Sequence, residues 1–153
     1  MRKRIIASSP PPGTPAGQNW LDLESLATVE VTSEDPAHPV EAALVAGRGS
    51  GWRAAQAGKQ TLRLLFDEPQ SVQRIHLLFK EDQHQRTQEF VLRWSSGNDL
   101  REILRQQYGF NPPGVELEDY TVDLQGVKTI ELEIIPSISG GSAVASLAEL
   151  RLG

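Results

Sequence analysis

Apolar residues recur at every second position through most of this chain, and that period constrains the fold more than any other feature. In residues 61–66 (TLRLLF), Leu62, Leu64 and Phe66 share a face and Arg63 points away; in 72–80 (VQRIHLLFK), Ile75, Leu77 and Phe79 do the same. Residues 89–95 (EFVLRWS) align Phe90, Leu92 and Trp94, and 118–124 (EDYTVDL) align Tyr120, Val122 and Leu124. Residues 127–135 (VKTIELEII) set Ile130, Leu132 and Ile134 against Glu131 and Glu133. A period of two marks a half-buried strand. The β-branched segment 26–32 (LATVEVT) and the closing segment 146–152 (SLAELRL) add a first and a last strand. Residues 100–108 (LREILRQQY) fit both periods: Leu100, Ile103, Leu104 and Gln107 lie at helical spacing, Arg101, Ile103 and Arg105 on a strand face. Strands on both sides at short intervals favour a strand there.

Between these segments lie turn sequences: DEPQ (67–70), EDQHQRT (81–87), SSGND (95–99), NPPG (111–114), QG (125–126) and PSISGGSA (136–143). Segments 36–44 (PAHPVEAAL) hold one short helix, with Asp35 placed to cap it and Pro36 at its first turn. About eight short strands at even spacing, without a strand–helix–strand rhythm, predict an all-β fold: a jelly-roll β-sandwich of antiparallel strands with one short helix.

At 153 residues the chain suits one domain with a single core. Residues 8–18 (SSPPPGTPAGQ) lack the apolar content to offset ordering, so 1–18 reads as a flexible Pro/Gly-rich arm and 19–153 as the β-sandwich domain. The chain has no cysteine, which excludes disulfides, thiolate nucleophiles and thiolate metal sites. Its net charge of −5 disfavours nucleic acid as a partner. No apolar run reaches the roughly 20 residues of a membrane span. The apolar run within residues 1–9 is too short for a signal peptide. A cytoplasmic location is the resulting expectation.

Catalytic motifs are missing. The carboxylates Glu81, Asp82, Glu118 and Asp119 form sequence-adjacent pairs, which a strand turns to opposite faces. Residues 49–51 (GSG) lack the Lys-Ser/Thr of a phosphate loop, and no G-x-S-x-G elbow occurs. The three histidines, His38, His76 and His84, have no metal-pair spacing, and His76 reads as facing outward or sitting at a sheet edge. The expectation is a binding module that is not an enzyme and has no cofactor and no metal site.

An ordered series of segments resembles the discoidin family, also called coagulation-factor C-type domains, within the galactose-binding-like jelly rolls. HPVEAALVAGRGSGWRAA (38–55) is similar to the family's Ala-rich helical piece, glycine loop and Trp followed by a small or polar residue. TLRLLFDEPQSVQRIHLLF (61–79) resembles its central strand pair, EFVLRWSSGND (89–99) its strand ending in Ser-x-Asp-Gly, and DYTVDLQGVKTIELEI (119–134) with ASLAELRL (145–152) its closing strands. The resemblance covers about 38–152.

It implies a non-catalytic module that binds carbohydrate or another small polar ligand through end loops, or alternatively a protein–protein interaction module without a small ligand. In sugar-binding relatives, a residue just after the Trp and an Arg-containing loop commonly help. The matching positions here are Arg53 and the loop that carries Lys80, Asp82, Gln83, His84 and Arg86, with 137–142 as a third wall. Tyr108 and Phe110 are candidate aromatic contacts: either an exposed tip that meets a ligand or partner, or a pair folded back to cap one end of the sandwich. Trp52 resembles the family's structural Trp, which implies a side chain at least half buried. Where the family's Asp-Gly helps hold calcium, this chain reads Val45-Ala46-Gly47, without the carboxylate. Sub-millimolar calcium should therefore leave the melting temperature unchanged, which differential scanning fluorimetry checks; a calcium-dependent rise would contradict it.

Overall fold

A computed structural model describes residues 20–153, and the predicted arm 1–18 lies outside the described residues. In order along the chain come helix α1 (Leu23–Leu26), β1 (Ala27–Val31), helix α2 (Glu41–Leu44), β2 (Trp52–Ala57), β3 (Gln60–Glu81) and β4 (Arg86–Ser95). They are followed by β5 (Arg101–Phe110), β6 (Gly114–Ile135), β7 (Val144–Leu147) and β8 (Glu149–Leu152). The fold is an all-β, antiparallel jelly-roll sandwich with two four-residue helices. No described helix is long and apolar enough to cross a membrane.

Two 22-residue strands organise it. The first part of β3 pairs with β1 (Ala27 opposite Phe66) and with the end of β6 (Leu62 opposite Leu132), and that layer continues through β4 to β5. The later part of β3 pairs with the beginning of β6 (Phe79 opposite Glu116) and, on its other side, with β8 (Leu77 opposite Leu150). The ladder slips three times between Leu65 and Arg74. Irregularities of this kind let one strand serve two layers of a sandwich. Phe79 from one part of β3 meets Phe90 of β4 across the interior, with ring centroids 5.3 Å apart.

The sequence prediction of turns at 67–70 and 125–126 is corrected here. Pro69 supplies no ladder donor, and Gly126 adopts φ +67, but the chain bends at these places without reversing. Two pairs of predicted strands therefore merge into β3 and β6. The predicted last strand divides into β7 and β8, and β2 was not anticipated. Residues 100–108 do form a strand, β5. Asp35 does not cap α2. It accepts the Ala37 N–H, while Glu34 Oε1 accepts the Val40 N–H at 2.9 Å, beside the helix start.

The predicted apolar faces form the core: Leu62, Leu64, Phe66, Ile75, Leu77, Phe79, Phe90, Leu92, Ile130, Leu132 and Ile134 are buried. Trp94 and Tyr120 pack only at its margin. Opposite, on the outer face, Arg63 spans Glu30 and Glu131, and Arg93 spans Glu131 and Glu133. Charges alternate across the strands, the pairing a sheet surface favours. His76 departs from the outward reading. It is fully buried, with Nε2 3.1 Å from Glu149 Oε2 and Trp20 5.8 Å away. Its strand is paired on both sides there, and Trp20 covers the exposed face.

One acid is embedded in the interior. Glu116 is buried, and neither carboxyl oxygen has a hydrogen-bond partner among the described residues. Burial and then the neighbouring Glu118 carboxylate push its pKa up to about 9, against a smaller pull from Arg86. The folded state thus holds a proton that the unfolded chain releases near pH 4.5. The stability tied to this proton is complete below that pH and declines as pH rises toward 9. Glu116→Gln keeps the shape without the ionisation. Chemical denaturation should show wild type losing about 1 kcal/mol per pH unit relative to this variant between pH 5 and 8, with the two converging at pH 4.

Candidate functional site

The local structure around Trp52 starts at a glycine. Gly51 sits at φ +121, and a Cβ there would come within 2.5 Å of the Leu147 carbonyl oxygen, so only glycine lets the loop close against β7. Trp52 then turns inward, buried, with its indole N–H donating to the Ser33 carbonyl at 3.0 Å. Strand alternation turns the next residue, Arg53, outward. Its backbone is fixed on both sides, its N–H donating to the His38 carbonyl and its carbonyl accepting from Asp35.

A second wall comes from the connection between β3 and β4. Glu81 organises it: Oε2 accepts the N–H groups of Gln83 (3.0 Å) and His84 (3.2 Å), and Oε1 accepts Arg86 Nε at 2.6 Å. Burial by itself would raise the Glu81 pKa, but the guanidinium and the two amides outweigh it and hold the carboxyl below its usual range. Arg86 is itself buried. Its Nη1 donates to Gln88 Oε1 (3.0 Å) and to the Pro136 carbonyl (2.7 Å), and its guanidinium lies 4.7 Å from the centre of the Phe110 ring. The bond to Pro136 ties this wall to the third, residues 137–144, where Ile138 N–H also donates to the Thr87 carbonyl at 2.9 Å.

These three walls enclose an open pocket of about 330 Å³. Arg53, Lys80, Asp82, His84 and Arg86 all line it, along with Glu81, Gln83, Gln85 and parts of 137–144. Connectivity places them together: Arg53 lies on β2, which pairs with β7 directly after the third wall (Arg53 opposite Ser146), and 82–85 join the two strands beside it. Sequence reasoning set Glu81 aside as one of a sequence-adjacent acidic pair and did not include it among the site residues. Its one legible signal is an acid at the start of the loop that ends in Arg86.

The aromatic candidates lie elsewhere. Phe110 is fully buried against Arg86, so of the two arrangements open in the sequence it takes the folded-back one. Its contact is with the protein interior. Tyr108 packs edge-on against Phe110, with centroids 5.1 Å apart, and its hydroxyl donates to the Val115 carbonyl at 3.2 Å. It remains partly exposed, outside the pocket lining. Among the described residues, no group of three or more His, Asp or Glu side chains is placed to hold a metal ion.

Comparison with known proteins was made on sequence and on structure. No protein-family model matches the chain, and the search of curated proteins found no match. Solved structures do match. The family 32 carbohydrate-binding module of AlyQ, in complex with 4,5-unsaturated mannuronic acid, superposes with a TM-score of 0.65 at 16% identity, covering 89% of this chain and 98% of that one. The fold is the discoidin-type, galactose-binding-like jelly roll. The family 32 module of NanJ from C. perfringens, in complex with galactose, gives 0.61 at 18% identity over 87% of this chain and 96% of that one. The F5/8 type C domain of a Bacteroides fragilis protein gives 0.61 at 14% identity over 90% and 97%. A pectin-binding carbohydrate-binding module gives 0.60 at 17% identity over 84% and 90%.

The geometry separates two kinds of arginine in one pocket, and their variants should part. Arg86→Ala leaves Glu81 without its buried cation and should lower stability by about 3 kcal/mol, roughly 10 °C in melting temperature for a domain of this size. Arg53→Ala, on an exposed side chain, should shift the melting temperature by no more than about 2 °C. Thermal unfolding of both variants checks this.

Proposed function

We propose that this chain is a non-catalytic module that binds carbohydrate in the pocket between β2, the 81–86 connection and residues 137–144. The observation that carries the reading is the convergence of Arg53, Lys80, Asp82, His84 and Arg86 on one open pocket. It occurs in a fold whose solved neighbours include sugar-complexed carbohydrate-binding modules. The side chains suit hydroxyl-rich ligands: guanidinium and ammonium groups donate, Asp82 accepts, and an imidazole does either. The strongly perturbed acid, Glu116, is buried and does not line this pocket, which supports binding over acid–base catalysis.

Arg86 serves this reading mainly as a fixed floor, because Glu81, Gln88 and Pro136 already take its Nε and Nη1 hydrogens. Arg53 and Lys80 are exposed and are left to meet a ligand. Among the described residues they form no ion pair with a carboxylate. A glycan array followed by isothermal titration calorimetry tests the proposal. A bound sugar should lose about tenfold in affinity with Arg53→Ala at unchanged melting temperature, the loss of a charge-assisted hydrogen bond. An array without any bound glycan would overturn it.

A protein-interaction role has one observation in its favour. Val115 and Leu117 stand exposed on β6 beside Tyr108, in a stretch of β6 that β3 pairs on one side only. Leu117→Glu that abolished a specific protein complex, with glycan binding absent, would favour that role.

A further inference from the structure

We propose that the pocket selects a sugar bearing a carboxylate, a uronic-acid residue, over its neutral counterpart. The inference rests on the carbohydrate reading and specifies its ligand class.

The first observation is what the walls omit. Among the described residues no Phe, Tyr or Trp side chain lines the pocket, and its one ring is the small polar imidazole of His84. A neutral hexose gains much of its affinity by laying the apolar side of its ring on an aromatic face. Phe110 is sealed beneath Arg86 and Trp52, beside Arg53 in the chain, is buried, so neither presents a face to it. Affinity here has to come from polar and charged groups.

The second observation is which charges are already matched. Most of the other described arginines are held by carboxylates, Arg48 by Glu24, Arg63 by Glu131, Arg93 by Glu133 and Arg105 by Glu89, while Arg151 donates to main-chain carbonyls. In the pocket, Arg86 and Glu81 neutralise each other, and Glu81 is further occupied by two amides. Arg53 and Lys80 differ. Among the described residues neither has a carboxylate within ion-pair distance. Asp35 feels the charge of Arg53, but its oxygens are directed to the Ala37 N–H (3.0 Å) and to His38 Nδ1 (3.4 Å). Against these two cations the lining sets one uncommitted carboxylate, Asp82.

The pocket therefore presents a cationic pair, one acid, and neutral donors and acceptors in Gln83, Gln85 and Ser142. A hydroxylated monoanion complements that set. The planar guanidinium of Arg53 matches a carboxylate with two parallel hydrogen bonds, and Lys80 adds a point charge. Asp82, repelled by a polyanion, is suited to accept from a ring hydroxyl. A neutral sugar would leave both cations without a counter-charge.

The experiment compares each acid with its own methyl ester, which keeps the ring and removes the charge. The full chain is titrated calorimetrically with trigalacturonate, trimannuronate and glucuronate, with their methyl esters, and with galactose and galactose 6-sulfate. At least one free acid should bind at least tenfold tighter than its ester at low salt, and the gap should narrow as salt is raised from 0.05 to 0.5 M. Arg53→Met with Lys80→Met, folded by melting temperature, should abolish the gap. Equal binding of acid and ester, tighter binding of the sulfate than of any acid, binding of galactose alone, or an acid preference that survives the double variant would each overturn the charge selection while leaving a sugar site in place. Binding of no sugar in the panel or on the array would overturn the carbohydrate reading and this inference with it.

Discussion

The pairing of β3 with β6 is the constraint on which the rest of the molecule depends. Both strands run 22 residues, and each contributes to both layers. Every other strand but β2, β5 and β7 is hydrogen-bonded to one of the two. Their bulged middle, around Pro69 and Gly126, sets how the layers face one another, and thereby which side chains enter the core. Their far parts matter for function: the end of β3 delivers Lys80 and Glu81 to the pocket, and the residues just after β6 begin the opposite wall. The scaffold and the site share a backbone but use different residues of it.

Where a charge can be matched, it is: Glu131 is buried but spanned by two arginines, and Arg151 donates to the Ala43 carbonyl at the end of α2 at 2.7 Å. Glu116 is the exception. It lies inside the sandwich on β6 where an apolar residue would pack more favourably, and it is retained as a neutral acid. Nearby, burial and then the hydrogen bond to Glu118 raise the Tyr120 pKa, keeping its hydroxyl protonated. An inward-facing acid on a part of β6 paired on one side only also discourages that edge from joining another sheet.

Much of the fold was legible because alternation is a direct imprint of a two-faced sheet. The inward sets of residues 61–66, 72–80 and 127–135 came through unchanged, and that of 89–95 did so except for Trp94 at the margin, since each buries a face on a continuous core. What alternation could not show was continuity: Pro69 and Gly126 carry turn chemistry in sequence, and only the presence of a facing strand converts a turn into a bend. The strand β2 escaped because its exposed half, Ala55 to Ala57, has no apolar period. At the site, the positions suggested by the discoidin resemblance do gather at one pocket, while Phe110 does not present itself there. The role of Glu81 was only half legible, because besides Arg86 it contacts two main-chain N–H groups, which leave no pattern in side-chain identity.

That role of Glu81 bears on the entropy of recognition. A loop of four exposed residues, 82–85, would ordinarily sample many shapes and lose that freedom when a ligand arrives. Here one carboxylate holds two of its amides and the arginine at its far end, so the loop is closed onto a single anchor before any ligand is present. The wall is set in advance by the folding of the strand that precedes it, and a small ligand with few contacts meets a surface that has little freedom left to lose.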